Sequence, residues 1–285
     1  MGEMTRSDEY KDWVAGVFDR ASASYDHVGP RFFTYFGKRL VEVSEIEVGS
    51  RILDVACGRG AVLIPASEKT GYSGEVIGID ISSGMVTRLD SDLKRLGITN
   101  STVIVMDVEN LRFHDLSFDY VICGLALFFF PNLDIALNEC FRVLKPEGYL
   151  VTSTIERIET PWRESLLEVT KPYQEKLASA PTIDTKDLDG EEEVVEELEA
   201  VGFVEIEHNI DTHKFYFRDE MEWWEAQWSI FRRAFMERLD PDSLKEYKRE
   251  AINIVREWKT YKGIPTTISV RYSRAKKPVV TKQAL

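Results

Sequence analysis

Three aspartates, Asp54, Asp80 and Asp107, carry the chemistry most readily read from this chain. Each closes or nearly closes a short apolar run: Ile52 to Val55, Val76 to Asp80 and Val103 to Asp107, at nearly equal spacing. The first run stops in a small-residue turn, Ala56-Cys57-Gly58-Arg59-Gly60, and the apolar pattern Ala61-Val62-Leu63-Ile64 begins at once. A buried strand feeding a helix through a glycine turn brings backbone N–H groups against a nucleotide-like ligand. Ligands of open α/β sheets bind beyond the C-terminal strand ends. Asp80 is then placed to accept from both hydroxyls of a ribose. Asp107 can accept from the amino group of a purine, whose ring nitrogen meets the Val108 N–H. The turn 56–60 packs against whatever the ribose carries at its 5′ position.

Two ligand classes suit this frame. A dinucleotide needs the G-x-G-x-x-G fingerprint and sets its pyrophosphate on the helix N-terminus. This chain supplies only Gly58 and Gly60, and Asp54 stands just before the turn. A carboxylate there repels a pyrophosphate and attracts an ammonium. The ligand expected is adenosine carrying a cationic amino acid, S-adenosylmethionine. Anchoring the backbone of the turn is a second role open to Asp54.

Strict alternation of strands and helices must position these residues. Strand 51–55 precedes helix 60–69, strand 75–80 precedes helix 83–96, and strand 102–106 leads to a polar loop. Strand 118–123, helix 133–144 and strand 148–155 continue the rhythm; helix 191–201, strand 203–209 and a closing strand 266–276 complete it. Such spacing predicts an α/β fold, a doubly wound, mostly parallel seven-stranded sheet with helices on both faces. Helices at 8–20 and 31–46 come first, joined by a polar connector that ends in Gly29-Pro30. The organisation expected is an N-terminal helical cap (1–46), a cofactor-binding core (47–156), an insertion or lid (157–189) and a continuation of the core (190–210). An aromatic helical lid (211–264) and a closing strand with tail (265–285) follow. The acidic run Asp187 to Glu199 reads as the solvated face of a helix with Val194, Val195 and Leu198 turned inward.

Composition narrows the partners. With 285 residues, 44% of them hydrophobic, the chain can bury a sizeable core. A net charge of −13 and a pI near 5.0 oppose a nucleic-acid grip. Cys57, Cys123 and Cys140 lack metal-ligand spacing and read as reduced structural thiols. The N-terminus lacks the apolar stretch of a secretory signal, and the longest apolar run, Tyr120 to Phe130, is too short for a membrane span. A cytoplasmic protein without a bound metal is expected.

Residues 51–155 resemble a class I S-adenosylmethionine-dependent methyltransferase domain, whose fold is Rossmann-like. Leu53 to Gly60 is similar to the cofactor loop, Gly78-Ile79-Asp80-Ile81-Ser82 to the ribose-binding turn and Met106-Asp107-Val108-Glu109 to the adenine-binding turn. Leu137 to Gly148 is like the helix and turn before the fifth strand, and Ile268 to Pro278 like the closing strand. Ala56 stands where the family usually has glycine, as does Glu147 where glycine is frequent. Residues Val17 to Asp26 resemble the opening segment of the ubiquinone/menaquinone-biosynthesis branch and its small-molecule relatives, which implies Tyr25 over the methionine end of the cofactor. The cofactor site implied comprises Tyr25, Asp54, Ala56, Gly58, Gly60, Asp80, Ile81, Met85, Asp107, Val108 and Cys123.

On the acceptor side, Leu125, Phe129, Trp224 and Trp228 are the candidates, with core packing as the competing reading of every aromatic. The Asn/Asp-Pro-Pro-aromatic motif of nucleobase and amide methylation is missing after the fourth strand. His27, in the connector beside Tyr25, is the candidate general base; a surface or loop-anchoring histidine is the alternative. The function expected is methyl transfer to a small, apolar or aromatic metabolite. A protein methyltransferase and a non-catalytic S-adenosylmethionine-binding regulatory subunit are the alternatives.

Overall fold

The computed structural model describes residues 5–173, 181, 186, 188 and 190–279. Strands β1 (Arg51–Val55), β2 (Glu75–Asp80), β3 (Ser101–Val105), β4 (Phe118–Gly124), β5 (Leu144–Glu159), β6 (Val204–Phe217) and β7 (Ile264–Lys276) form one sheet. Its order is β3-β2-β1-β4-β5-β7-β6, parallel from β3 to β5 and antiparallel where β7 enters between β5 and β6. The winding reverses between β1 and β4, so a crevice opens at their C-terminal ends.

Neighbouring residues of a strand enter different cores, as the pleat demands. Leu53 and Val121 pack with Leu137 and Val143 of α5 (Leu133–Val143) and with Leu198 of α7 (Glu191–Val201). Ile52 and Ile122 pack on the other face with Phe36 and Leu40 of α2 (Phe32–Val43), Leu63 of α3 (Leu63–Thr70) and Leu89 of α4 (Ser83–Leu96). Helix α1 (Arg6–Ala21) opens in a reciprocal capping box between Thr5 and Asp8. A third cluster joins Trp162, Trp223, Trp224, Phe235, Tyr247 and Ile264. It is built from α8 (Glu220–Trp228), α9 (Arg233–Met236) and α10 (Pro241–Arg256), beside α6 (Arg163–Thr170).

Two expected boundaries move. Strand β5 runs on to Glu159 and β6 to Phe217, so 157–159 and 211–217 belong to the sheet rather than to lids. Beyond Ser153, the last partner of β4, β5 stays paired with β7 alone. The antiparallel half therefore outruns the parallel half and carries the lid helices at its far end. Most of the expected insertion from 174 to 189 lies outside the described residues, as do 1–4 and 280–285. Among the described residues no helix is long and apolar enough to cross a membrane. All three cysteines are free and buried.

Helix α2 lies directly on the turn after β1. A Cβ on Gly37 would sit 2.4 Å from the Ala61 carbonyl oxygen, backbone that cannot swing away. Gly37→Ala should therefore lift α2 from the turn and destabilise the fold by about 1–3 kcal/mol, despite alanine's better helix propensity. Denaturant unfolding with an unchanged midpoint would contradict this close approach.

Candidate active site

Strand β1 ends in a backbone that few residues adopt. Ala56 has φ 55° and Leu125, just past β4, has φ 54°, both left-handed without being glycine. Such strain persists only where the surroundings impose it. Here the Cys57 N–H donates to the Ile79 carbonyl at 2.9 Å, and the Leu125 N–H donates to the Ser153 carbonyl at 3.1 Å. The two residues frame the crevice at the switch point.

Burial sets the electrostatics. Asp80 accepts from the Gly58 N–H at 2.9 Å and from the Ser82 N–H at 2.8 Å, which ties the β1 turn to the β2 turn. Burial nevertheless pushes its carboxyl up to about 6 against the pull of those two donors. Asp54 is only 1% exposed. Burial, and then the charge of Asp80, hold its carboxyl well above the usual range, while the Leu63 N–H pulls the other way. Its Oδ2 has no hydrogen-bond partner. A buried carboxylate oxygen without a donor is a receptor for a cationic ligand group.

Helix α1 touches all three strand-end turns. Lys11 Nζ donates to Asp107 Oδ2 at 2.8 Å and to Glu109 Oε2 at 3.0 Å beside β3. Asp19 Oδ1 accepts from Ser82 Oγ at 2.6 Å and from the Gly84 N–H at 2.7 Å, at the start of α4. Arg59, in the β1 turn, donates to the carbonyl of Ser22 and pairs with Asp92. Glu109 also accepts from the backbone and side chain of Asn132, whose amide donates to Ser7 Oγ at 2.9 Å. The cap is thus fastened by polar contacts to the loops it covers.

Beneath it lies a cavity with about 790 Å³ of space free of protein atoms, its mouth included. Of the residues singled out from the sequence, Tyr25, Ala56, Gly58, Asp80, Ile81, Met85, Asp107, Val108, Leu125 and Phe129 line it. Asp54 lines a smaller cavity that shares Tyr25, Ala56, Gly58 and Leu125 with the first. The phenol of Tyr25 stacks on Phe33 with ring centroids 4.7 Å apart.

Five expected residues are elsewhere. Gly60 (φ +82°) is needed for packing, because a Cβ there would meet Leu89 Cδ1 at 2.6 Å; it lines a separate groove. Cys123 packs in the core with Val55 and Cys140, since the pleat turns it into that face. His27 is exposed on the outer groove, its Nδ1 3.0 Å from the Tyr25 carbonyl, and no histidine lines the large cavity. Trp224 and Trp228 meet edge-on at 6.5 Å in the lid's own cluster, where Trp224 also meets Tyr247 at 5.9 Å. The lid reaches the site instead through Phe231, which packs on Phe129 at 4.9 Å, on Phe18 at 5.8 Å and edge-on to Trp13 at 5.3 Å. Lys11, Val14 and Phe18 were also missed as lining residues. Their spacing of three and four places them on one helical face, a signal that was legible. Among the described residues no cluster of His, Cys, Asp and Glu is placed to hold a metal ion.

Comparison with known proteins gives the arrangement a context. A family model described as a methyltransferase domain matches residues 46–219. An aklanonic acid methyltransferase of a Streptomyces species is 41% identical over 152 residues, 53% of this chain and 69% of that protein. A demethylmenaquinone methyltransferase of Staphylococcus haemolyticus is 35% identical over 152 residues, 52% of this chain and 63% of that protein. The structure of the YcgJ protein of Bacillus subtilis shares the fold with a TM-score of 0.56 at 18% identity, covering 86% of this chain and 99% of that one.

Asp54 generates a prediction free of any ligand. Its folded-state carboxyl titrates above the ordinary 3.8, so its contribution to stability is intact below about pH 4 and declines as pH rises. Asp54→Asn keeps an acceptor for the Leu63 N–H and removes the buried charge. The ligand-free variant should melt higher than wild type at pH 8, on the order of 2–4 °C for each kcal/mol relieved, with the gap narrowing toward pH 5. A variant that melts lower than wild type at pH 8 would contradict the assignment.

Proposed function

Because this chain belongs to the methyltransferase-domain family, we propose that it moves a methyl group from S-adenosylmethionine to a small, apolar or aromatic metabolite. The observation that carries this reading is one cavity lined by the three strand-end turns and roofed by aromatic rings. In the proposal Asp80 takes the two ribose hydroxyls, and Asp107 with the Val108 N–H takes the adenine edge. The strained turn at Ala56 to Gly58 meets the amino-acid end, Asp54 takes its ammonium, and Tyr25 lies above it. Ile81 and Met85 supply apolar walls.

S-adenosylmethionine supplies a methyl group already activated by its sulfonium. The chain's own work is then to align an acceptor and exclude water. Leu125 and Phe129 on the β4 side, Phe18 on the cap and Phe231 behind them form an apolar enclosure suited to a flat ring. Aklanonic acid and demethylmenaquinone, for which the two relatives are named, are both small molecules. An open acidic groove would favour a protein acceptor, and a site without an acceptor enclosure a regulatory subunit; the aromatic roof argues for neither.

Thermal unfolding tests the ligand class. S-adenosylmethionine and S-adenosylhomocysteine should raise the melting temperature by mass action, whereas NAD should not. Stabilisation by NAD alone would overturn the reading.

The acceptor enclosure is tested with radiolabelled cofactor and a panel of aromatic acids, phenols and hydroquinones. Phe129→Ala and Phe231→Ala should each raise acceptor KM about tenfold, the loss of an aromatic contact worth about 1–1.5 kcal/mol. Trp224→Ala should destabilise the fold by about 3 kcal/mol or more and leave acceptor KM unchanged. The reverse pattern would return the acceptor to the tryptophans.

A further inference from the structure

The turn that leads from α10 into β7 holds aromatic rings out in water. Tyr261 is 94% exposed and Trp258 46%. Met221 is exposed too, and its neighbour Glu220 reaches Arg256 and Lys259 just before the turn. Single exposed rings are ordinary on a protein surface. This turn, however, is built to present them. Thr260 and Gly263 exchange backbone hydrogen bonds at 2.9 and 3.0 Å. The Thr260 hydroxyl donates to the Gly263 carbonyl at 2.8 Å and accepts from the Lys262 N–H at 3.2 Å. Gly263 (φ +114°) presses on β6, where a Cβ would come within 2.2 Å of the Phe217 carbonyl oxygen. Tyr261 and Lys262 therefore stand at the corner of a turn fixed by its own hydrogen bonds. Charge is sorted around the same rings. Lys262 Nζ lies 5.7 Å from the Tyr261 ring and 5.9 Å from the Tyr216 ring, and Lys214 Nζ lies 5.8 Å from Tyr216. Neither lysine has an ion pair among the described residues. Nearby carboxylates are already taken, Glu220 by Arg256 and Lys259, Asp219 and Glu222 by Arg218. Residues 256–262 carry three cations against one acid, Glu257, in a chain of net charge −13.

We propose that this turn docks the protein, without spanning, on an anionic membrane surface. Aromatic rings beside lysines suit the headgroup level of a bilayer, where rings take the apolar boundary and ammonium groups the phosphates. Tyr261 and Trp258 supply the rings, Lys214 and Lys262 the unpaired cations. A ring so exposed at a turn corner offers a partner protein little to enclose, whereas a bilayer needs only that the corner enter it. The acidic remainder of the chain repels the same surface. Screening beyond about 8–10 Å leaves the local cations to decide the contact. The turn also has a direction. β7 begins at Ile264 opposite Phe217, and Glu159, the C-terminal end of the parallel strand β5, lies opposite Thr267. The turn thus stands at the edge of the sheet on which the crevice opens, and docking brings that edge toward the bilayer. An acceptor that partitions into lipid then meets the chain on the side of the crevice; the docking itself holds whatever the acceptor is.

Co-sedimentation of the full chain with vesicles tests this, using phosphatidylcholine alone and phosphatidylcholine with phosphatidylglycerol at about two to one. The chain should bind the mixed vesicles about tenfold or more tighter than the neutral ones, and should leave them at about 1 M salt, where the Debye length falls to about 3 Å. Lys262→Ala should weaken binding about fivefold and Tyr261→Ser about tenfold, both with an unchanged melting temperature. Vesicles with brominated acyl chains should quench tryptophan fluorescence in wild type and leave Trp258→Phe unquenched. No binding to the mixed vesicles, equal binding to both kinds, or binding that neither variant weakens would overturn the proposal. So would a dimer in sedimentation velocity that Tyr261→Ser dissociates while wild type ignores vesicles, since the turn would then serve a second copy of the chain.

Discussion

Carboxylates held in a nearly dry crevice govern this structure. Parallel strands deliver their C-terminal ends to one edge, so Asp54 and Asp80 arrive close together on the adjacent strands β1 and β2, in register two residues apart. Burial raises both carboxyls above their ordinary range, helped by the charge of Asp80 at Asp54 and by that of Asp19 at Asp80. The turns answer with backbone donors from Gly58, Ser82 and Leu63. Those donors restrain the charges without satisfying them, and what remains unsatisfied is the affinity offered to a ligand.

The cap completes what the sheet leaves open. A bare sheet edge would expose the carboxylates to water and lower the value of every contact made there. Helix α1 covers that edge and is pinned at each turn by a charged group of its own or of the turn: Lys11, Asp19 and Arg59. A bidentate pair between Arg20 and Glu237, with Nη2 2.7 Å from Oε2, then joins cap to lid, and Phe231 fills the seam. Cofactor side and acceptor side are closed by the same helix. Any movement of α1 alters both together.

How much of this was legible depended on the periodicity of each segment. The runs 51–55 and 75–80 are apolar with sharp ends, and their strands fall where the pattern put them. Asp80 and Asp107 stand where an apolar run meets a turn, so their place at the crevice followed from the winding of the sheet. The outer part of β6 was hidden, because Asp211 to Lys214 alternate polar residues on an exposed strand and carry no apolar signal. Trp224 and Trp228 do share a helix face, as their spacing of four requires, but that face looks into the lid's own core. Spacing fixes which residues share a face and leaves open what the face meets. His27 is a related case: it shares the outer groove with Tyr25, and only Tyr25 reaches the cavity under the cap. The face shared by Lys11, Val14 and Phe18 was legible in their spacing, but the polar contacts of Lys11 and Arg59 arise only when the cap docks on the turns.

The central claim is that ionised carboxylates at the strand ends receive the cofactor, and the pH dependence of S-adenosylhomocysteine affinity tests it most directly. Asp80 titrates at about 6 in the ligand-free protein, so below that pH a bound ligand must first displace a proton from its receptor. Calorimetric titration from pH 5 to pH 8 should show affinity level above about pH 7 and falling toward tenfold per unit below about pH 6, a slope that Asp80→Asn flattens at lower overall affinity. An affinity constant across that range in the wild-type protein would contradict the account.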